Sequence, residues 1–102
     1  EEIDTEEMDA IAKNGSTLLI DLRESFESPV LNSDKYRKIP MSSFSDFLSV
    51  EVDEHNLVLI CQHGIRSVAA AEALKDKYGA AKNIFSLKGG IARYRNYFTE
   101  NK

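Results

Sequence analysis

The most constraining feature of this chain is a junction. Val58-Leu59-Ile60 reads as the end of a buried strand, Cys61-Gln62-His63-Gly64-Ile65-Arg66 as a loop, and Ser67 as the opening of an alanine-rich helical pattern that runs to Tyr78. An apolar run with no polar alternation belongs to a strand covered on both faces, as in a parallel sheet flanked by helices. The only cysteine stands at that junction. There the loop N–H groups can point inward at it, at the positive end of the following helix's dipole and with Arg66 close by in sequence. Such a position stabilises a thiolate and the anions it reacts with. The bland alternative for a lone cysteine is a buried, inert small hydrophobe.

The rest of the chain repeats the alternation. Ile3 precedes Asp4-Thr5-Glu6-Glu7, after which Met8, Ile11 and Ala12 recur at helical spacing until Asn14-Gly15; a short strand and a capped helix are expected. Thr17-Leu18-Leu19-Ile20 reads as a second buried strand, 24–32 as a loop around Pro29, and 36–41 as a further strand. Phe44, Phe47 and Leu48 suit a short helix capped by Ser42 or Ser43. Leu57-Val58-Leu59-Ile60 is the clearest strand; Ala70, Ala71, Leu74 and Tyr78 then share a helix face that Gly79 ends. Ile84-Phe85-Ser86-Leu87 is the last strand, and Ile91, Tyr94 and Phe98 form the apolar face of one terminal helix. Strands alternating with helices predict an α/β fold: a parallel sheet of about five strands, right-handed crossovers, and helices on both faces. Ligands of such sheets bind beyond the carboxyl ends of the strands, where Cys61, Asp21 and Arg23 all fall.

At 102 residues, with 42% apolar and 9% aromatic residues, the chain holds one core, so 1–102 is expected as one domain. No apolar run approaches the roughly 20 residues of a membrane span. A net charge of −4 without a basic stripe argues against a nucleic-acid partner, so an anionic substrate must be drawn by local charge. A single cysteine cannot close an internal disulfide, which fits the reducing cytoplasm. One cysteine and two histidines at unrelated positions lack metal-ligand spacing, and no nucleotide-binding glycine loop appears; neither metal nor cofactor is expected.

A cysteine, four residues and an arginine between a buried strand and a helix resemble the active-site loop of the rhodanese-like sulfurtransferases. Leu19-Ile20-Asp21-Leu22-Arg23-Glu24 resembles that family's first acidic signature, and Ile84-Phe85-Ser86-Leu87-Lys88-Gly89-Gly90-Ile91 its closing one. The three landmarks keep the family's order over nearly the whole chain. One departure stands out: Arg37-Lys38-Ile39-Pro40 replaces a glycine-histidine-isoleucine-proline segment, keeping only its second half. The stretch Ser28-Pro29-Val30-Leu31-Asn32 matches no family role.

The resemblance implies a rhodanese-like fold and a covalent cycle. Cys61 attacks the outer sulfur of thiosulfate or a protein persulfide, holds it as a persulfide, and passes it to a thiophilic acceptor. Arg66 would close the loop, or else pair with a carboxylate that holds the fold. Gln62, His63 and Ile65 would line the pocket mouth and Gly64 would permit the turn; His63 is either a positive charge when protonated or a solvated loop residue. Ser67 is a helix cap or a substrate contact. Asp21 is implied to anchor neighbouring loops, with Arg23 pairing near the site. Gly89 and Gly90 would form the turn before the last helix, Tyr94 would pack in the core, and His55 would lie on the surface. Cysteine phosphatases of related architecture have a loop one residue longer, and a tighter ring of N–H donors fits sulfur better than phosphate.

Two function classes follow, with a third behind them. The domain is a sulfurtransferase with a small donor, or the sulfur-relay module of a larger adenylyltransferase of the ubiquitin-activating-like type. Such a module would serve a small sulfur-carrier protein in molybdopterin, thiamine or tRNA thiolation, and the absence of a starting methionine favours it. The third class is a non-catalytic module sensing anions or oxidants through Cys61.

Overall fold

The computed structural model describes residues 1–13 and 15–100. Five strands, β1 (Glu2–Ile3), β2 (Thr17–Asp21), β3 (Tyr36–Lys38), β4 (Asn56–Ile60) and β5 (Asn83–Leu87), form one sheet in the order β1-β5-β4-β2-β3. Every pairing is parallel, with Leu19 beside Val58 and Val58 beside Phe85 through the centre. The helices are α1 (Thr5–Lys13), α2 (Phe44–Phe47), α3 (Arg66–Tyr78), α4 (Gly90–Arg93) and α5 (Arg95–Glu100).

The pleat divides the apolar runs between two cores. Ile20, Leu57 and Leu59 face one way and pack with Phe44, Phe47, Ala70, Ala71 and Leu74 from α2 and α3. Leu19, Val58 and Ile60 face the other way and pack with Met8, Ile91 and Phe98 from α1, α4 and α5. Continuous apolar runs are therefore needed in β2 and β4, because both faces are covered. The chain leaves β2 towards β3 and leaves β4 towards β5, in opposite directions. That divergence opens a crevice at the carboxyl ends of β2 and β4, the usual ligand position in such sheets.

Local signals account for most boundaries. At the start of α1 the Glu7 N–H donates to Asp4 Oδ1 (2.8 Å) and the Asp4 N–H to Glu7 Oε1 (3.0 Å), a reciprocal cap. The helix ends at Lys13; Asn14, half of the expected stop, lies outside the described residues. The Gly79 N–H closes α3 on the Lys75 carbonyl.

Three expectations are corrected. The strand expected over 36–41 is confined to Tyr36–Lys38; the Ile39 and Met41 N–H groups still donate to the Asp21 and Leu22 carbonyls, but Pro40 between them has no N–H. Neither Ser42 nor Ser43 caps α2 with its side chain: the Ser42 N–H and hydroxyl both donate to the Glu24 carboxylate, and the Ser43 hydroxyl donates to the Pro40 carbonyl. The single terminal helix is two, broken at Tyr94 (φ −118°, ψ 40°), whose N–H turns back to the Ile91 carbonyl in a tightened last turn. Ile91 and Phe98 still share the second core, with Tyr94 half-buried against it.

Candidate active site

Cys61 immediately follows β4, and the pleat turns its side chain to the α3 face beside Leu57 and Leu59. The thiol is free and 1% exposed. The Gly64 N–H donates to Sγ at 3.1 Å and the Ser67 N–H at 3.3 Å, while the Ser67 hydroxyl lies 3.5 Å from the same sulfur. The sulfur thus rests in a ring of donors at the first turn of α3, where the helix dipole adds positive potential.

Ser67 is not the cap of α3. Ile65 holds that position and no side chain caps the helix, whereas the Ser67 hydroxyl sits between the sulfur and Ser86 Oγ, 2.6 Å away on β5. Both serines are fully buried. Ser86 went unread as a site residue. Its signal was a polar side chain inside an otherwise apolar strand, which must find a hydrogen-bond partner once buried.

The loop owes its path to the turn before α4. Gly64 has φ +83°, and a Cβ there would stand 2.7 Å from the Gly89 nitrogen; Gly90 has φ +64°, and a Cβ there would stand 2.4 Å from the Cys61 carbonyl oxygen. Two backbones meet where no side chain fits. The Ile91 and Ala92 N–H groups donate to the Cys61 (3.0 Å) and Gln62 (2.9 Å) carbonyls. The start of α4 therefore holds the carbonyl side of the loop and leaves N–H groups to face the sulfur.

Arg23, just past β2, is completely buried. Its backbone N–H and Nε both donate to Asp21 Oδ1 at 3.1 Å, and Nη2 donates to Asp21 Oδ2 at 3.3 Å. Nη1 donates to Gln62 Oε1 at 3.2 Å and Nη2 to the Pro29 carbonyl. A buried guanidinium is tolerable only when paired and hydrogen-bonded this fully. Arg23 thereby joins the strand end to both loops of the crevice, and Gln62 turns its amide oxygen inward to it.

Arg66 points to the facing loop and forms a two-pronged pair with Glu27, Nη1 to Oε2 at 2.8 Å and Nη2 to Oε1 at 2.7 Å. Those hydrogen bonds, joined by one from the Glu24 N–H and opposed by partial burial, hold the Glu27 carboxyl down at about 2. The same contact raises Arg66 above its ordinary value, with the Cys61 and Glu24 charges adding to it. Of the two sequence readings of Arg66, the structure displays pairing with a carboxylate. Glu27 had no assigned role; an Arg–carboxylate match across 39 positions leaves no local trace. His63 and Ile65 are exposed on the loop, and His55 is exposed at a distant turn.

A five-stranded parallel sheet with helices on both faces defines an α/β fold, here with a buried strand-end thiol met by two backbone donors. The rhodanese-like domain family matches residues 4–97, and the chain belongs to that family. It is 32% identical over 102 residues to a tRNA uridine(34) hydroxylase of Prochlorococcus marinus (strain MIT 9515), a match covering 90% of this chain and 32% of that protein. The chain spans about a third or less of the length of the curated relatives it matches. A rhodanese-related protein from Thermoplasma volcanium superposes with a TM-score of 0.74 at 28% identity, over 95% of this chain and 92% of that one. A NAD-dependent persulfide reductase from A. fulgidus superposes at 0.66 and 26% identity, over 90% of this chain and 15% of that one. Among the described residues, no helix is long and apolar enough to cross a membrane.

Proposed function

We propose that the domain is a sulfurtransferase that carries sulfane sulfur as a persulfide on Cys61. The observation behind this reading is the buried sulfur with the Gly64 and Ser67 N–H groups aimed at it. In the first half-reaction the Cys61 thiolate attacks the outer sulfur of a donor. With thiosulfate, the sulfur–sulfur bond of the dianion breaks, sulfite leaves with the bonding pair, and Cys61 retains a persulfide anion. In the second, cyanide, or the thiolate of a small molecule or of a sulfur-carrier protein, attacks the outer sulfur and Cys61 leaves as thiolate. The ring of N–H donors stabilises sulfur-centred negative charge in both halves without an added proton donor. Ser67 borders the reacting sulfur, Arg66 closes the loop, Gln62, His63, Gly64 and Ile65 form the mouth, and Asp21 and Arg23 hold the frame.

A second reading places the same chemistry in a longer protein. It is favoured by the matches to a tRNA uridine(34) hydroxylase and a persulfide reductase, each much longer than this chain. In that setting the domain hands sulfur to a neighbouring domain or a carrier protein in the cytoplasm. A net charge of −4 leaves contact with any nucleic acid to other parts of the protein.

The test is intact mass. Incubation with excess thiosulfate, or with an organic persulfide, should add about 32 Da to the protein, reversed by reductant and absent from Cys61→Ala. A thiol that alkylates normally yet gains nothing from either donor defeats the proposal.

A further inference from the structure

The two arginines at the crevice are each matched by a carboxylate of their own: Arg23 by Asp21, and Arg66 by Glu27 through both terminal nitrogens. Lys38 also lies against Asp21, at 3.8 Å. With both guanidinium groups engaged in this way, neither offers a donor an unshared positive charge. On either side of the Arg66–Glu27 pair stand large apolar side chains facing water, Ile65 beside Arg66 at 77% exposure and Phe26 beside Glu27 at 84%. A 2.7 Å ion pair joins their sequence neighbours, Arg66 and Glu27. Two such side chains, each next in sequence to a member of that ion pair, offer apolar surface to the body of a substrate.

We propose that Glu27 is the specificity determinant of the site: by occupying Arg66 it turns the pocket from small dianions such as thiosulfate to monoanionic sulfane-sulfur donors with an apolar body seated on Phe26 and Ile65. The inference rests on the Cys61 persulfide reading. Benzenethiosulfonate is the matched probe, carrying one charge and a ring where thiosulfate carries two charges and none. Cys61 thiolate takes its outer sulfur, the sulfur–sulfur bond breaks, and benzenesulfinate leaves with the bonding pair. Cyanide then removes the sulfur as thiocyanate, so both donors share one acceptor.

The experiment compares kcat/KM for the two donors in wild type and Glu27→Gln. Removing one negative charge at a few ångströms should raise thiosulfate turnover about five- to tenfold and benzenethiosulfonate about twofold, and the thiosulfate gain should shrink with added salt. Phe26→Ala should lower the thiosulfonate rate several-fold and leave thiosulfate within about twofold. A Glu27→Gln protein that loses both donors in proportion, with their ratio unchanged, makes Glu27 a mere brace for Arg66; it overturns the inference and leaves the persulfide reading standing. No thiocyanate from either donor in either protein overturns both.

Discussion

Two loops face each other across the crevice and work by different means. The loop after β4 presents backbone: its Gly64 and Ser67 N–H groups reach the sulfur, while the start of α4 fixes its carbonyls. The loop over 24–32 adds charge, with the Glu27 carboxylate on Arg66, beside one backbone contact from the Pro29 carbonyl to Arg23. A backbone cradle is lost only if the path of the chain changes, whereas the charge of the mouth depends on single carboxylates. On the persulfide proposal, reactivity rests on the first segment and selectivity on the second, so that each is open to change without the other.

The largest effect should come from removing what the loops share. Arg23→Met would leave Asp21, 2% exposed, without its buried partner and release Gln62 and Pro29 together, at a cost of about 3–5 kcal/mol in urea unfolding. The double variant with Asp21→Asn should recover part of that loss, since the uncompensated charge is gone. Gly90→Ala comes next. Its Cβ would meet the Cys61 carbonyl at 2.4 Å, so the cradle must shift; a stability loss of about 1–3 kcal/mol should accompany loss of both donors alike in turnover assays. Both donors falling together would mark the backbone loop, just as a changed donor ratio marks Glu27.

Ser67→Ala should act more gently. It keeps the N–H that meets the sulfur but removes a hydroxyl 2.6 Å from Ser86, so sulfur loading measured by mass should slow about tenfold, with a stability loss of about 1–2 kcal/mol. The smallest effect is the pH dependence of the Arg66–Glu27 pair. Glu27 titrates below its ordinary value of 4.5, at about 2, so its contribution is complete above roughly pH 5 and lost as pH falls towards 2. Wild type should therefore be more stable than Glu27→Gln at neutral pH and converge with it in acid, as followed by thermal unfolding across that range. Equal stabilities at every pH would show that the pair is offset by its own ordering and desolvation.

Much of this arrangement was legible along the chain. The buried strands were readable because burial on both faces requires continuous apolar runs, and α1 because Asp4 and Glu7 stand at capping distance. The strand-end position of Cys61 was readable because an unbroken apolar run gives way there to a loop and then a helical pattern. The errors fall where local pattern competes with packing. Ser67 has the chemistry of a cap but sits inside the helix, facing the sulfur. The apolar spacing of Ile91, Tyr94 and Phe98 fits one helix, yet the chain breaks at Tyr94. Ser42 and Ser43 precede α2 as caps do, but Glu24 draws the Ser42 hydroxyl away.

The sequence by itself determined the α/β order, the strand-end position of Cys61, and the four-residue loop ending at Arg66, because periodicity and spacing over a few residues carry that information. Only the tertiary structure decided that Arg66 meets Glu27, that Ser67 meets Ser86, and that Arg23 joins two loops. The pairings of Ser67 with Ser86, Arg66 with Glu27 and Arg23 with Gln62 span 19 to 39 positions, and no local pattern encodes a partner that arrives only when the sheet closes.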